Sequence, residues 1–195
     1  MLYYKKFIQY DLKPVGKRRV YDNNIYSFDI ETTSYIIHNN KVYNNLFYET
    51  LSEKEQHDCL KQSCMYIWMF SINDIVYYGR TWDELREFLK MLDNYCPNKK
   101  IVFIHNLSFE FQFLYSNFRQ ENVFARVAHK VMKSEFSNYN IELRCSLFMS
   151  NCSLEKLPKT FNLPIEKLVG NLDYNKLRHS ETELSEKELA YCEHD

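Results

Sequence analysis

Glycine and proline are scarce in this chain: three Gly and four Pro in 195 residues. Neither GxxxxGK[ST] nor GxGxxG occurs, which excludes phosphate binding on a glycine-rich loop of those kinds. The six cysteines (59, 64, 96, 145, 152 and 192) form no CxxC pair. Such spacing reads as reduced thiols, not as a disulfide frame or a zinc site. No apolar run approaches the roughly 20 residues that a membrane helix needs, and no secretory signal opens the chain. No membrane partner is therefore expected, and a cytoplasmic location is. Charge of one sign is also missing. The net charge is −1, so a nucleic-acid partner would have to be held by a local patch and not by the field of the whole protein.

What is present is a core. Apolar residues make up 45% of the chain and aromatics 16%, with 16 Tyr and 14 Phe. This is the composition of a folded domain, and the length suits one. Lys5, Lys6, Lys13, Lys17, Arg18 and Arg19 crowd the first twenty residues. Two readings stay open for that segment: a strand with a solvated basic turn, or an arm that contacts phosphates.

The pattern further along alternates strands and helices. Tyr26–Thr33 lies in a strand expected at about 24–31. Residues 32–64 are polar and read as a long surface excursion with a short helix near Glu53–Gln62. Tyr66–Ile72 and Ile75–Gly79 flank Asn73-Asp74, a hairpin signal. Thr81 with Glu84 forms a capping box. The helix that follows shows Leu85, Phe88, Leu89 and Leu92 on one face and stops by Pro97. Ile101–Ile104 is continuously apolar, as in a strand covered on both faces, and a helix begins near Phe109. Residues 123–149 predict two strands, Ala125–Glu135 and Ile141–Phe148. Ser153 is expected to cap a helix to Phe161, and Ser185 with Glu188 to cap the last one. The sum is an α/β layer fold with a mixed sheet.

Acids sit at informative places on this frame. Asp29 and Glu31 share one face of the opening strand, because residues i and i+2 of a strand point the same way. Two acids so placed repel each other unless a cation lies between them or the strand edge is solvated. Oxygen ligands of this kind suit magnesium or manganese. Glu110 falls in the first turn of the helix after the central strand. Tyr191 and Asp195 are one turn apart, so both can address one site. Four carboxylates around two divalent ions about 4 Å apart is an arrangement used to hydrolyse phosphodiesters.

These motifs, in this order, resemble the 3′–5′ exonuclease domain of family B DNA polymerases of the protein-primed, bacteriophage type. Phe28-Asp29-Ile30-Glu31-Thr32-Thr33 matches the first exonuclease motif. His105-Asn106-Leu107-Ser108-Phe109-Glu110 matches the second, and Tyr191-Cys192-Glu193-His194-Asp195 the third. The resemblance implies a ribonuclease-H-like (DEDD exonuclease) fold, a mixed sheet flanked by helices. It implies two Mg2+ or Mn2+ ions on Asp29, Glu31, Glu110 and Asp195, with Tyr191 orienting the attacking water. Thr32, His105, Asn106 and Phe109 would meet the 3′ end of single-stranded DNA, and Ser146 and Leu147 match a DNA-contacting Ser-Leu pair. Phe109 reads equally as a core aromatic. Lys167 is nearest to the position of an assisting lysine. His194 is not the base by this pattern, since histidine-using relatives place that residue several positions earlier.

The resemblance also implies a single domain over 1–195, the N-terminal piece of a longer polymerase. A terminal-protein primer would be a partner only of that longer enzyme, and a phage-encoded enzyme would work in the host cytoplasm. Where the second motif ordinarily ends in Asp, this chain has Glu110. Two alternatives stay open: a catalytically weak module that binds single-stranded DNA, and a stand-alone DEDD exonuclease acting on short RNA.

Overall fold

A computed structural model describes residues 1–7, 12, 20–164 and 172–194. Asp195, Lys167 and the run Lys17-Arg18-Arg19 lie outside these residues, and so do the expectations that rest on them.

In chain order the described elements are β1 (Leu2–Tyr3), β2 (Tyr26–His38), β3 (Lys41–Tyr43), α1 (Asn45–Glu49), α2 (Glu53–His57), β4 (Leu60–Ile72), β5 (Ile75–Gly79), α3 (Trp82–Tyr95), β6 (Lys100–Ile104), α4 (Leu107–Asn117), β7 (Gln120–Ala125), β8 (Val131–Phe136), β9 (Ile141–Cys145), α5 (Ser146–Ser150), α6 (Leu157–Phe161) and α7 (Glu186–His194). The strands form one mixed sheet in the order β1-β5-β4-β2-β6-β9-β8-β7, with β3 beside the far end of β2. β2, β6 and β9 run parallel at its centre, while β4 and β5 on one side and β8 and β7 on the other run antiparallel. The α/β fold expected from the sequence is the one that forms.

Two hydrophobic clusters hold the sheet between helices. The larger joins Tyr26, Phe28 and Ile30 of β2, Val102 and Ile104 of β6, Phe88 and Leu92 of α3, and Leu107 and Leu114 of α4. The smaller lies on the opposite side and joins Tyr66, Ile67 and Met69 of β4 to Leu172, Tyr191 and Cys192. The alternation along β2 follows from the pleat: Tyr26, Phe28 and Ile30 enter the core, while Ser27 and Asp29 emerge on the other face.

Several elements differ from the sequence expectation. β2 continues to His38 and β4 begins at Leu60, so the two ends of 32–64 form one long antiparallel pair and only the middle of the segment is an excursion, holding β3, α1 and α2. Asn39 and Asn40 turn β2 into β3 at φ 48 and 60, values that Asn tolerates better than other non-glycine residues. The short helix expected at 53–62 covers Glu53–His57. Residues 120–145 hold three strands and not two, because His129 at φ 60 turns the chain where no glycine marked a turn. Ser146 and Leu147 consequently open helix α5 and do not lie in a strand. The helix expected from Ser153 begins at Leu157.

The capping boxes form as read. Thr81 Oγ1 accepts from the Glu84 amide at 3.2 Å. Ser185 Oγ accepts from the Glu188 amide at 3.3 Å, while Glu188 Oε2 accepts from the Ser185 amide at 2.8 Å.

Candidate active site

The sheet brings the predicted acids to one place. β2 and β6 are parallel neighbours, with Tyr26 beside Val102, so the carboxyl-terminal end of β6 opens beside the stretch that holds Asp29 and Glu31. The chain turns there through Asn106, which sits in the left-handed region at φ 65, and enters α4 directly. Glu110 lies one turn into that helix and is 3% exposed. A β-bulge then shifts the β2–β4 register between Glu31 and Thr32. Such a bulge re-aims the residues that follow it.

Asp29, Glu31, His105, Phe109, Glu110, Ser146 and Tyr191 line one cavity of about 860 Å³. Seven of the predicted residues are thus gathered. Thr32, Asn106 and Leu147 are not among its lining residues: Thr32 follows the bulge, Asn106 is exposed in the turn, and Leu147 packs on the main core. Phe109 is 42% exposed, which decides against a purely core role. Its ring meets Phe113 at 5.5 Å between centroids. His105 Nδ1 lies 3.1 Å from Ser146 Oγ, which ties the end of β6 to the start of α5.

The electrostatics are unusual for so enclosed a space. The described lining also includes Asp74 and Glu193, and no lysine or arginine. Burial, followed by the charge of Asp29 and a hydrogen bond to it, pushes the Glu110 carboxyl far above the usual carboxylate range. Two facing carboxyls without a cation share a proton in this way. Glu110 Oε2 is buried and has no hydrogen-bond partner among the described residues, which costs free energy unless something binds there.

A divalent cation fits this donor set in kind: the ligands are carboxylates, and among the described residues one oxygen is orphaned and no lysine or arginine lines the space. The described residues alone do not complete a cage, since among them no group of three or more His, Cys, Asp or Glu is close enough to hold a metal ion. The remaining predicted ligand, Asp195, follows the last described residue of α7.

Tyr191 projects from α7, is 5% exposed, and its hydroxyl lies 3.0 Å from that of Tyr174. Neither this pairing nor the presence of Met69, Ser71 and Asp74 in the lining is signalled by the sequence: those three arrive from the β4–β5 hairpin. The segment before α7 is pinned from two sides. Arg80 donates to the carbonyls of His179 at 2.9 Å and Thr182 at 2.8 Å. Arg178, itself 3% exposed, donates to Glu188 and to the Asp173 carbonyl. Burial alone would raise the Glu188 carboxyl. The Ser185 amide and hydroxyl and the Arg178 guanidinium outweigh it and hold the pKa at about 2.

With this geometry in hand, likeness to known proteins is confined to structure. No known protein family and no curated protein matches the sequence. Among solved structures, Phi29 DNA polymerase complexed with single-stranded DNA shares the fold over 88% of this chain and 29% of that one, at TM-score 0.59 and 16% identity. The same polymerase complexed with primer-template DNA matches at TM-score 0.59 and 15% identity, again over 88% of this chain and 29% of that one. Its ternary complex with primer-template DNA and incoming nucleotides matches at 0.58 and 16%, over 88% and 28%. The chain therefore spans less than a third of the length of the polymerase whose fold it shares. No helix among the described residues is long and apolar enough to cross a membrane.

Proposed function

We propose that this chain is a 3′–5′ exonuclease domain of the kind found in protein-primed DNA polymerases, removing nucleotides from the 3′ end of single-stranded DNA. The observation that carries the reading is the convergence of Asp29, Glu31, Glu110 and Tyr191 on one cavity with no lysine or arginine among its described lining residues, in a fold shared with a polymerase solved in complex with single-stranded DNA.

Asp29, Glu31, Glu110 and, by its place in the third motif, Asp195 would hold two Mg2+ or Mn2+ ions. Bound there, the ions would supply an acidified water and charge neutralisation at the leaving oxygen. The chain's own groups do the rest. The Tyr191 hydroxyl, steadied by that of Tyr174, orients the water. Phe109 offers a half-exposed ring to an unpaired base, a contact worth about 1–3 kcal/mol per base and indifferent to sequence. In the reaction water adds to the scissile phosphorus, the P–O3′ bond breaks, and a nucleoside 5′-monophosphate leaves while the shortened strand takes up a proton at its new 3′ oxygen. If the chain is part of a longer polymerase, a terminal protein would be that enzyme's partner, and Lys167 remains the nearest candidate for an assisting lysine.

The test is a 5′-labelled single-stranded DNA oligonucleotide incubated with the purified chain and Mn2+. A ladder shortened from the 3′ end, abolished by a chelator and by the Asp29→Ala, Glu31→Ala double variant, is expected. Binding without any shortening would reduce the domain to a DNA-binding module. Faster cleavage of the matching RNA would point to an RNA exonuclease, since only RNA offers a 2′-hydroxyl to read.

A further inference from the structure

We infer that Arg178 and Glu188 form a latch whose task is to position the Tyr191 hydroxyl over the cavity, and that Arg178 is thus a positioning residue for the reaction proposed above. The inference rests on that reading for its chemistry and on geometry for its mechanism.

The latch spans both tyrosines. Arg178 Nε and Nη2 donate to Glu188 Oε1 at 2.9 and 2.6 Å. Its third nitrogen, Nη1, donates to the Asp173 carbonyl at 2.6 Å. Asp173 is followed by Tyr174, and Glu188 precedes Tyr191 by three residues on the same helix. Residues three apart share a helix face. One guanidinium therefore fixes the backbone beside Tyr174 and the turn beneath Tyr191, and the two hydroxyls meet at 3.0 Å.

The latch is also anchored to the strand that carries the acids. The Arg178 amide donates to Thr33 Oγ1 at 3.2 Å, and Thr33 Oγ1 donates to the Lys176 carbonyl at 3.3 Å. Thr33 lies two residues beyond Glu31. The guanidinium rests 5.7 Å from the centroid of the ring of Tyr66, the extra residue of the bulge in β4 opposite Glu31 and Thr32. Such a planar fork cannot be copied by a lysine ammonium, which is a point charge without fixed geometry. Glu188 meanwhile completes the cap of α7 with its other oxygen, so helix start and latch share one carboxylate.

Neither Arg178 nor Glu188 is among the described residues that line the cavity. A packing role alone would need neither a fork nor a shared carboxylate beneath Tyr191, and the two roles separate by experiment. Arg178→Lys keeps the charge and spares much of the fold. With single-stranded oligonucleotide and Mn2+ it is expected to lower kcat 10- to 100-fold and to leave KM within threefold. In a Tyr191→Phe background the same substitution is expected to change kcat by less than threefold, because the hydroxyl it positions is gone. An equal fall in both backgrounds, or no fall in the parent, overturns the assignment.

Amide exchange gives a readout that does not depend on nuclease activity. Exchange over 189–194 is expected to accelerate in Arg178→Lys while that of β6 stays unchanged. Unchanged exchange over 189–194 overturns the latch. A parent chain that fails to cut DNA removes the exonuclease reading, and with it the positioning role, even where the exchange result holds.

Discussion

Glu110 is the residue on which the site turns. It stands where the resembled motif has Asp, it is buried, and one of its oxygens has no hydrogen-bond partner among the described residues. The sequence made the position legible because an acid in the first turn after an apolar strand is a placed acid. Its partner was less legible: that Asp29 faces Glu110 follows from the parallel pairing of β2 with β6, which no spacing encodes. Glu110→Gln keeps the shape and loses the charge. It is expected to slow cleavage by at least two orders of magnitude, about 3 kcal/mol of barrier, while Glu110→Asp stays within roughly tenfold of the parent. The pH dependence follows from the raised pKa. Because the carboxyl titrates above its unfolded value, the protonated form favours the fold. Metal-free stability is full below the ordinary glutamate range and declines as pH rises toward the folded pKa. Mn2+ should reverse the loss, so thermal melts are expected to show a larger Mn2+ shift at pH 8 than at pH 5, and Glu110→Gln should flatten both trends. A Mn2+ shift of equal size at the two pH values would contradict the pairing of Glu110 with Asp29.

At the scale of elements, the sheet was readable where side chains alternate in and out of a core, and unreadable where they do not. The β4–β5 hairpin, α3, β6 and α4 all announced themselves through apolar period or caps. The outer halves of β2 and β4 did not, because Thr32, Ser34, Ser63 and Gln62 lie in an extension beyond the central sheet with little to bury, joined by hydroxyl pairs such as Ser34 and Ser63 at 2.8 Å. The buried ion pair of Arg178 and Glu188 was invisible for another reason: its partners come from a loop and a helix cap ten residues apart. Packing within the hairpin is tighter than the sequence suggests. A Cβ added at Gly79 would overlap the fully buried Trp68 indole, whose Nε1 would lie 2.8 Å away. Trp68 is held by its own hydrogen bond to the Thr81 carbonyl at 2.9 Å, so it cannot retreat cheaply. Gly79→Ala is expected to cost about 1–3 kcal/mol, the usual penalty of overpacking, measured by denaturant unfolding. A neutral result would mean that the indole has room to move.

Across the whole molecule, charge sets how nucleic acid can be held. The net charge is −1 and the cavity is lined by acids, so the field at the site repels a phosphate backbone. A strand end can enter only where a divalent ion neutralises the carboxylates and where the contacts to the strand are stacking and hydrogen bonds, as Phe109, His105 and Ser146 can provide. Binding of this kind releases few counterions. For single strands each neutralised phosphate contributes about 0.7 to the slope of log affinity against log salt. The described cavity offers no lysine or arginine to neutralise one. Oligonucleotide binding, measured by anisotropy in Ca2+ to prevent cleavage, is therefore expected to need the divalent ion and to show a slope shallower than about 2. The alternative resides in Lys17-Arg18-Arg19. If that run contacts phosphates, the slope will be steeper, and replacing all three residues by alanine will reduce it by about 2. A steep slope that survives this replacement would show that the strand is gripped by cations elsewhere and that the acidic cavity is not where it binds.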